Sequence, residues 1–180
     1  MSGRADELTY DTIRARFEWR IPERFNMGVA CSSAHDPERR GLIAVDQDGS
    51  ERIFTFGDLD RLSNRLANAL AELGVEHGDR VGVVVPQSLE TGIAHLAIWK
   101  LGAISLPLAD LFGPDALSFR LEDSGAKLVI ATPESLRNLD EAAPNLPKVF
   151  TGTELDQLIK ASSDVFTPRE TDAEDPAYLI

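Results

Sequence analysis

Cysteine is almost absent from this chain of 180 residues, and its scarcity limits where the protein can work. Cys31 is the single cysteine, so no disulfide can form within the chain and nothing in the sequence indicates an oxidising compartment. The N-terminus carries Asp6 and Glu7 where a secretion signal would place its apolar core. These features predict a cytoplasmic protein.

Basic residues are also scarce. Lys and Arg number 18 against 30 acidic residues, which gives a formal net charge of -12. Nucleic acids and anionic membrane surfaces attract positive charge, so neither is predicted as a partner, whereas a small anionic ligand needs only a local basic pocket. The most apolar stretch, residues 91–109, contains Lys100, Gly102 and Pro107, so it predicts a helix, a turn and a strand rather than a membrane span.

Complete motifs for several kinds of site are missing. No Gly-x-Gly-x-x-Gly follows a strand and no Walker-type phosphate loop is present, which excludes the familiar dinucleotide and phosphate-loop patterns. His35, His77 and His95 lack the spacing of metal ligands, so no metal site is predicted. His77 falls in a turn that we expect to be exposed, and His95 is expected to be a hydrogen-bonded core residue. The residues alone therefore identify no catalytic group.

What the sequence does contain is a regular alternation of strand-like and helical segments over residues 41–151. Thr55 and Asp58 form a capping-box pattern, which a stripe of leucines at helical spacing follows. The intervening polar residues fall on the opposite face of this helix: Asp60, Arg61, Asn64, Arg65 and Asn68. Further apolar runs alternate with helices down to residue 151. This pattern predicts an α/β fold with a mostly parallel sheet flanked by helices.

The two ends of the chain differ from this middle part. Residues 1–40 predict an N-terminal helical and aromatic segment, residues 152–176 an acidic linker, and residues 177–180 the start of one more buried strand. A natural domain rarely ends inside a core strand, because that strand's backbone groups need partners. We therefore expect the 180 residues to be part of a longer chain.

Three aromatic residues lie close together with three arginines in the N-terminal segment: Phe17, Trp19 and Phe25 with Arg16, Arg20 and Arg24. Such a cluster could stack on nucleic acid bases, but the overall acidity favours a helix packed across the sheet.

Several segments together resemble one family. Phe17–Asn26 (FEWRIPERFN) resembles the opening of acyl-CoA synthetases of the acetate, medium-chain and benzoate type. Three further segments are similar, in order and spacing, to core motifs of the AMP-binding, adenylate-forming enzymes: Thr55–Leu59 (TFGDL) with Leu73–Val81 (LGVEHGDRV), Trp99–Leu108 (WKLGAISLPL) and Arg120–Ile130 (RLEDSGAKLVI).

This resemblance implies an activity for a longer parent protein. Such enzymes join a carboxylic acid to AMP from ATP with Mg²⁺, and then pass the acyl group to coenzyme A. The chain would be the first subdomain of the large N-terminal domain, with the phosphate loop and the catalytic residues beyond Ile180. The 180 residues alone are therefore expected to be inactive and to bind no cofactor.

The resemblance also implies two contacts with coenzyme A. Arg137 matches an arginine that binds a phosphate of coenzyme A, and Asp110, Leu111 and Phe112 lie near its channel by analogy. A guanidinium suits a phosphate because it offers paired N–H donors. From the residues alone, the favoured interpretation of Arg137 is an exposed helix arginine, and that of Asp110 is a turn-forming aspartate.

Two alternatives to an acyl-CoA synthetase stay open at this point. One is part of an amino-acid-activating adenylation domain, which shares the two core motifs, although the Phe-x-Trp-x-x-Pro opening favours the CoA ligases. The other is a non-catalytic protein that binds a partner through the edge of its sheet.

Overall fold

The computed structural model describes residues 9–46 and 48–180, so Asp6 and Glu7 of the N-terminus and Gln47 of the predicted hairpin turn lie outside it. The helices are α1 (Tyr10–Arg16), α2 (Met27–Ala30), α3 (Phe56–Glu72), α4 (Leu89–Lys100), α5 (Pro114–Ser124), α6 (Leu136–Ala142) and α7 (Thr153–Ala161). The strands are β1 (Arg40–Val45), β2 (Glu51–Thr55), β3 (Arg80–Val84), β4 (Ile104–Pro107), β5 (Leu128–Ala131) and β6 (Lys148–Phe150).

A four-stranded parallel sheet in the order β4-β3-β5-β6 forms the centre of the fold. Side chains alternate between its two faces, as the two-residue period of a strand requires. Val81 and Val83 face the core shared with α3, α4 and α7, whereas Val84 faces the core shared with α5 and α6. Helices thus cover both faces, which confirms the predicted fold class.

An antiparallel hairpin of β1 and β2 leads into α3. Gly49 in its turn has a φ of 83°, the left-handed conformation that the Asp-Gly pair favours. The capping box at the start of α3 is present as predicted. Asp58 N–H donates to Thr55 Oγ1 at 3.1 Å, and Thr55 N–H donates to Asp58 Oδ2 at 2.9 Å.

The aromatic cluster near the N-terminus is not a helix packed across the sheet, and that prediction is wrong. Within the described residues, helical structure stops at Arg16 and resumes at Met27, and Trp19 is 78% exposed. Pro22 lacks an N–H and restricts the residue before it, which disfavours a helix here. The segment is instead held at its far end, where Phe25 N–H donates to the carbonyl of Thr171 at 2.9 Å.

Residues 152–176 contain α7 and an extended segment. Leu155 of α7 is fully buried against the core. Beyond the helix, Arg65 of α3 donates to the carbonyl of Ser162 at 2.7 Å, and Asn68 donates to that of Ser163 at 2.8 Å. The acidic stretch is therefore fastened to α3 by side-chain bonds. Its division from the rest as a linker stays a prediction.

In the part of the chain that the structure describes, no helix combines the length and apolar character needed to cross a membrane.

Candidate functional site

A cleft opens at the carboxyl ends of β3 and β4. The chain leaves β3 towards α4 on one face of the sheet and leaves β4 towards α5 on the other face. Neighbouring strands whose connections diverge in this way leave a crevice beyond their carboxyl ends, where α/β proteins bind ligands. The crevice holds a cavity of about 380 Å³, whose polar lining comes from Gln87, Thr91, His95, Asp110 and Tyr178.

The first turn of α4 shapes one wall of this cleft. Ser88 is the N-cap, as predicted, and its hydroxyl accepts from the Thr91 N–H at 3.4 Å. The Thr91 hydroxyl in turn donates to the carbonyl of Pro86 at 2.6 Å. The bond fixes the turn that joins β3 to α4, so the backbone beside Gln87 is held in place.

His95 lies on α4, one turn beyond Thr91, and shares a 2.6 Å hydrogen bond between its Nδ1 and the hydroxyl of Ser105 on β4. Ser105 is fully buried, so its hydroxyl requires a partner within the protein. Burial lowers the pKa of the His95 imidazole below its ordinary value of 6.5. The neutral ring is therefore favoured near neutral pH. His95 is hydrogen-bonded as predicted, but it is half-buried and lines the cleft instead of lying in the core.

The other two histidines lie away from the cleft. His77 is half exposed, as predicted for a turn, and its Nε2 lies 3.3 Å from a carboxylate oxygen of Asp175. His35 stacks on Phe56 with 4.2 Å between the ring centroids. Among the described residues, no group of three His, Cys, Asp or Glu side chains could hold a metal ion.

The residues predicted to contact coenzyme A lie, like the cleft, beyond the carboxyl ends of the strands. Asp110 and Leu111 are exposed after β4, and Phe112 is half buried under the guanidinium of Arg120, which lies 4.4 Å from the ring centroid. Arg137 is exposed in the first turn of α6.

A hydrogen bond connects these two predicted sites. The side chain of Asn138, next to Arg137, donates to the carbonyl of Phe112 at 3.3 Å. The bond joins the start of α6 to the loop after β4, so both places share one surface. Their role in binding coenzyme A stays a prediction.

Four polar groups at or beside the cleft were not predicted from the sequence: Gln87, Thr91, Ser105 and Tyr178. Ser105 carried a signal, since it is a hydroxyl residue inside an apolar strand and a buried hydroxyl needs a partner. The signal for Tyr178 was weaker, because its neighbours in space belong to α4, which is distant in sequence.

The chain is thus an α/β domain with a parallel sheet between two layers of helices and a polar cleft at the carboxyl ends of its strands. The chain belongs to the AMP-binding enzyme family, whose model matches residues 32–180.

Relatives in sequence include the acetyl-coenzyme A synthetases of Magnetococcus marinus and Vibrio vulnificus, which are 29% and 30% identical over 96% and 97% of this chain. The chain spans 32% of the length of each.

Similar solved structures include an acyl-CoA synthetase of Brucella canis, with a TM-score of 0.86 and 28% identity over 94% of this chain and 35% of that one. The anthranilate CoA ligase AuaEII, solved with anthranoyl-AMP, has a TM-score of 0.77 and 27% identity over 88% of this chain and 31% of its own.

Proposed function

We propose that this chain forms the first α/β layers of an ATP-dependent acyl-CoA synthetase. The full enzyme would join a carboxylic acid to AMP, release pyrophosphate and transfer the acyl group to coenzyme A. The observation that carries the proposal is the match to the Brucella canis acyl-CoA synthetase, with a TM-score of 0.86 over 94% of this chain. The family match over residues 32–180 supports it.

The described residues fit only part of this chemistry. Among them no group of three or more His, Cys, Asp or Glu side chains could hold a metal ion, and the sequence contains no Walker-type phosphate loop. In the full enzyme ATP would supply the adenylyl group that activates the carboxylate, with pyrophosphate as the leaving group, and Mg²⁺ would offset the phosphate charge. What these residues contribute is the sheet, the cleft beside His95 and the surface around Arg137.

We propose coenzyme A as the ligand of the surface around Arg137. An exposed guanidinium offers paired N–H donors to a phosphate. Asn138 of α6 bonds to the loop at Asp110–Phe112. This loop would line the channel for the arm of coenzyme A that ends in the thiol. We infer a contact between Arg137 and a phosphate of coenzyme A, with the cleft side of the loop facing the remainder of the ligand.

A chimera tests the proposed function directly. These 180 residues would replace the matching third of the Brucella canis acyl-CoA synthetase, and AMP release would be measured with coenzyme A and acetate, propionate, medium-chain or aromatic acids. We expect acid-dependent AMP release from the chimera. A folded chimera that makes no acyl adenylate with any of these acids would contradict the proposal.

Two controls accompany the chimera. The 180 residues alone should give no ATP–pyrophosphate exchange above a blank. In the chimera, Arg137→Ala should raise KM for coenzyme A by roughly ten- to a hundredfold while leaving adenylate formation unchanged, since a hydrogen bond to a charged group contributes about 1.5–3 kcal/mol. Lys127→Ala is the matched control, because it removes a cation just before β5, at the amino ends of the strands and away from Arg137. An unchanged KM in Arg137→Ala would remove this residue from the coenzyme A site.

The cytoplasmic location stays a prediction from the sequence.

A further inference from the structure

The segment Ala177–Leu179 runs parallel to β4 along the outer edge of the sheet, and its contacts are unusually concentrated. Ser105 N–H donates to the carbonyl of Ala177 at 3.0 Å, and Leu179 N–H donates to the carbonyl of Ser105 at 3.0 Å. Both backbone bonds therefore involve the same residue of β4. By itself, such a short pairing would hold the segment weakly.

Side chains of α4 add to this pairing. Trp99 Nε1–H donates to the carbonyl of Ala177 at 2.8 Å, so this carbonyl accepts two hydrogen bonds. His95 stacks on Trp99 with 5.5 Å between ring centroids and 19° between ring planes. The ring of Tyr178 lies 6.1 Å from His95 and 6.4 Å from Trp99. The three rings form one contiguous aromatic group.

The sequence spacing explains how this arrangement is built. His95 and Trp99 are four residues apart on α4 and so lie on the same face of the helix. Ser105 lies opposite them on β4, and its buried hydroxyl is bonded to His95 Nδ1 at 2.6 Å. Ser105 thus bonds to His95 through its side chain and to the segment Ala177–Leu179 through its backbone.

We propose that His95, Trp99 and Ser105, here called the aromatic clamp, are positioning residues that hold Tyr178 as a wall of the ligand cleft. Tyr178 lines the same cavity of about 380 Å³ as Asp110 and His95. If the segment left β4, this wall would be lost and the cleft would open to solvent. The ligand expected in the cleft rests on the proposed function, whereas the clamp itself can be tested in this chain alone.

Hydrogen exchange read by mass spectrometry measures the clamp. The Leu179 amide should be protected in the unmodified chain, because it donates to Ser105. Trp99→Phe keeps an aromatic ring but removes the Nε1–H donor. It should speed exchange in a peptide covering residues 177–180 about fivefold, as expected for the loss of one hydrogen bond. Exchange in the central strand β5 should not change.

Trp19→Phe is the matched control. Trp19 is the other tryptophan of the chain, and it is 78% exposed and outside the clamp. Its substitution should leave exchange in residues 177–180 unchanged. Equal exchange in Trp99→Phe and Trp19→Phe would overturn the proposal, as would exchange of Leu179 in the unmodified chain at the rate of an unstructured peptide.

A spectroscopic readout separates positioning from general stability. In the Trp19→Phe background Trp99 is the sole tryptophan, so its emission reports the aromatic group. Tyr178→Ala should shift this emission to longer wavelength and speed exchange of Leu179, while β5 keeps its protection. Hydrogen exchange in β5 and in residues 177–180 could instead accelerate equally in both Tyr178→Ala and Trp99→Phe. Tyr178 and Trp99 would then contribute only to general packing, and the proposal would be wrong. None of these outcomes depends on activity of the chimera, so the tests of the clamp and of the proposed function are independent of each other.

Discussion

The Nζ of Lys100 lies 2.7 Å from Oδ1 of Asp60 and joins the last residue of α4 to the first turns of α3. The lysine is fully buried. Its ammonium also donates to the hydroxyl of Ser63 at 2.8 Å and to Oδ1 of Asn64 at 2.7 Å. Each of the three N–H groups of the ammonium thus has an acceptor. A buried charge is tolerated in a folded protein when it is paired and hydrogen-bonded in this way.

Removing the buried ammonium should destabilise the fold. Lys100→Met fills the space of the lysine stem but leaves Asp60 and Asn64 without their donor. Breaking a buried pair in this way costs about 3–5 kcal/mol. We expect the free energy of unfolding, measured by urea denaturation, to fall by about that amount. Adding Asp60→Asn to Lys100→Met should recover part of the loss. A double variant less stable than Lys100→Met would contradict the assigned pairing.

The capping box at the start of α3 should contribute measurably to stability. Thr55→Ala removes the acceptor for the Asp58 N–H, and the loss of an N-cap costs about 1 kcal/mol. Hydrogen bonds from Thr55, first from its backbone and then from its hydroxyl, also lower the pKa of the Asp58 carboxyl. The measurement is the shift of the thermal unfolding midpoint. Thr153→Ala is the control, since Thr153 is exposed at the start of α7, where Gly152 makes no side-chain cap. Equal shifts in the two variants would show that the cap contributes nothing.

Acid should destabilise the protein through His95. Burial lowers the pKa of this imidazole in the folded state, so the unfolded chain, with a pKa of about 6.5, binds the proton more readily. Stability should therefore be fully present above about pH 6.5 and decrease as pH falls from there towards the lower folded-state pKa.

Urea denaturation at several pH values between about 5 and 7.5 measures this dependence. His95→Gln, which can still bond to Ser105, should flatten the slope over this interval. His35→Gln is the matched control, because it makes the same change at a histidine that does not line the cleft. A slope that persists unchanged in His95→Gln would assign the acid sensitivity to another group.

Close packing of α2 on α4 depends on Gly28. A Cβ at this position would lie 2.7 Å from both the carbonyl oxygen of Leu96 and the backbone nitrogen of Lys100. Backbone atoms cannot move aside as a flexible side chain can, so Gly28→Ala should separate the helices and cost about 1–3 kcal/mol.

A second helical glycine supplies the comparison for Gly28. A Cβ at Gly92, within α4, would meet only a side-chain methyl of Leu42, at 3.3 Å. Gly92→Ala should be neutral or stabilising, because alanine favours a helix by up to about 1 kcal/mol over glycine. Chemical denaturation of both variants checks the difference. If Gly28→Ala proved as stable as Gly92→Ala, α2 would not pack on α4 as described.

Much of the fold could be predicted because its signals are local. The Thr55–Asp58 capping box, the N-cap at Ser88 and the left-handed Gly125 after α5 all follow from the conformational preferences of single residues. The strand β3 was predicted from one continuous apolar run, since a strand covered on both faces needs apolar side chains throughout. Such signals need no knowledge of what lies on the other side of the molecule.

The candidate site was predicted only in part. Asp110 was placed correctly at the carboxyl end of a strand, and His95 was expected to be hydrogen-bonded. The partner of His95 was not predicted, because Ser105 belongs to another element and its distance in space is set by packing. Tyr178 came from a segment predicted to be a buried strand, yet its side chain is 45% exposed and lines the cleft.

The sequence alone determined the alternation of strands and helices, the turns and caps that delimit them, and the family motifs. The tertiary structure decided which polar groups are buried. Helical periodicity places Asn64 and Arg65 on the face opposite the leucines and says nothing of their partners. In the structure Asn64 bonds to the buried Lys100 and Arg65 to the segment after α7. The physical reason is that periodicity describes only one helix, whereas burial depends on the elements that pack against it, and those come from distant parts of the chain.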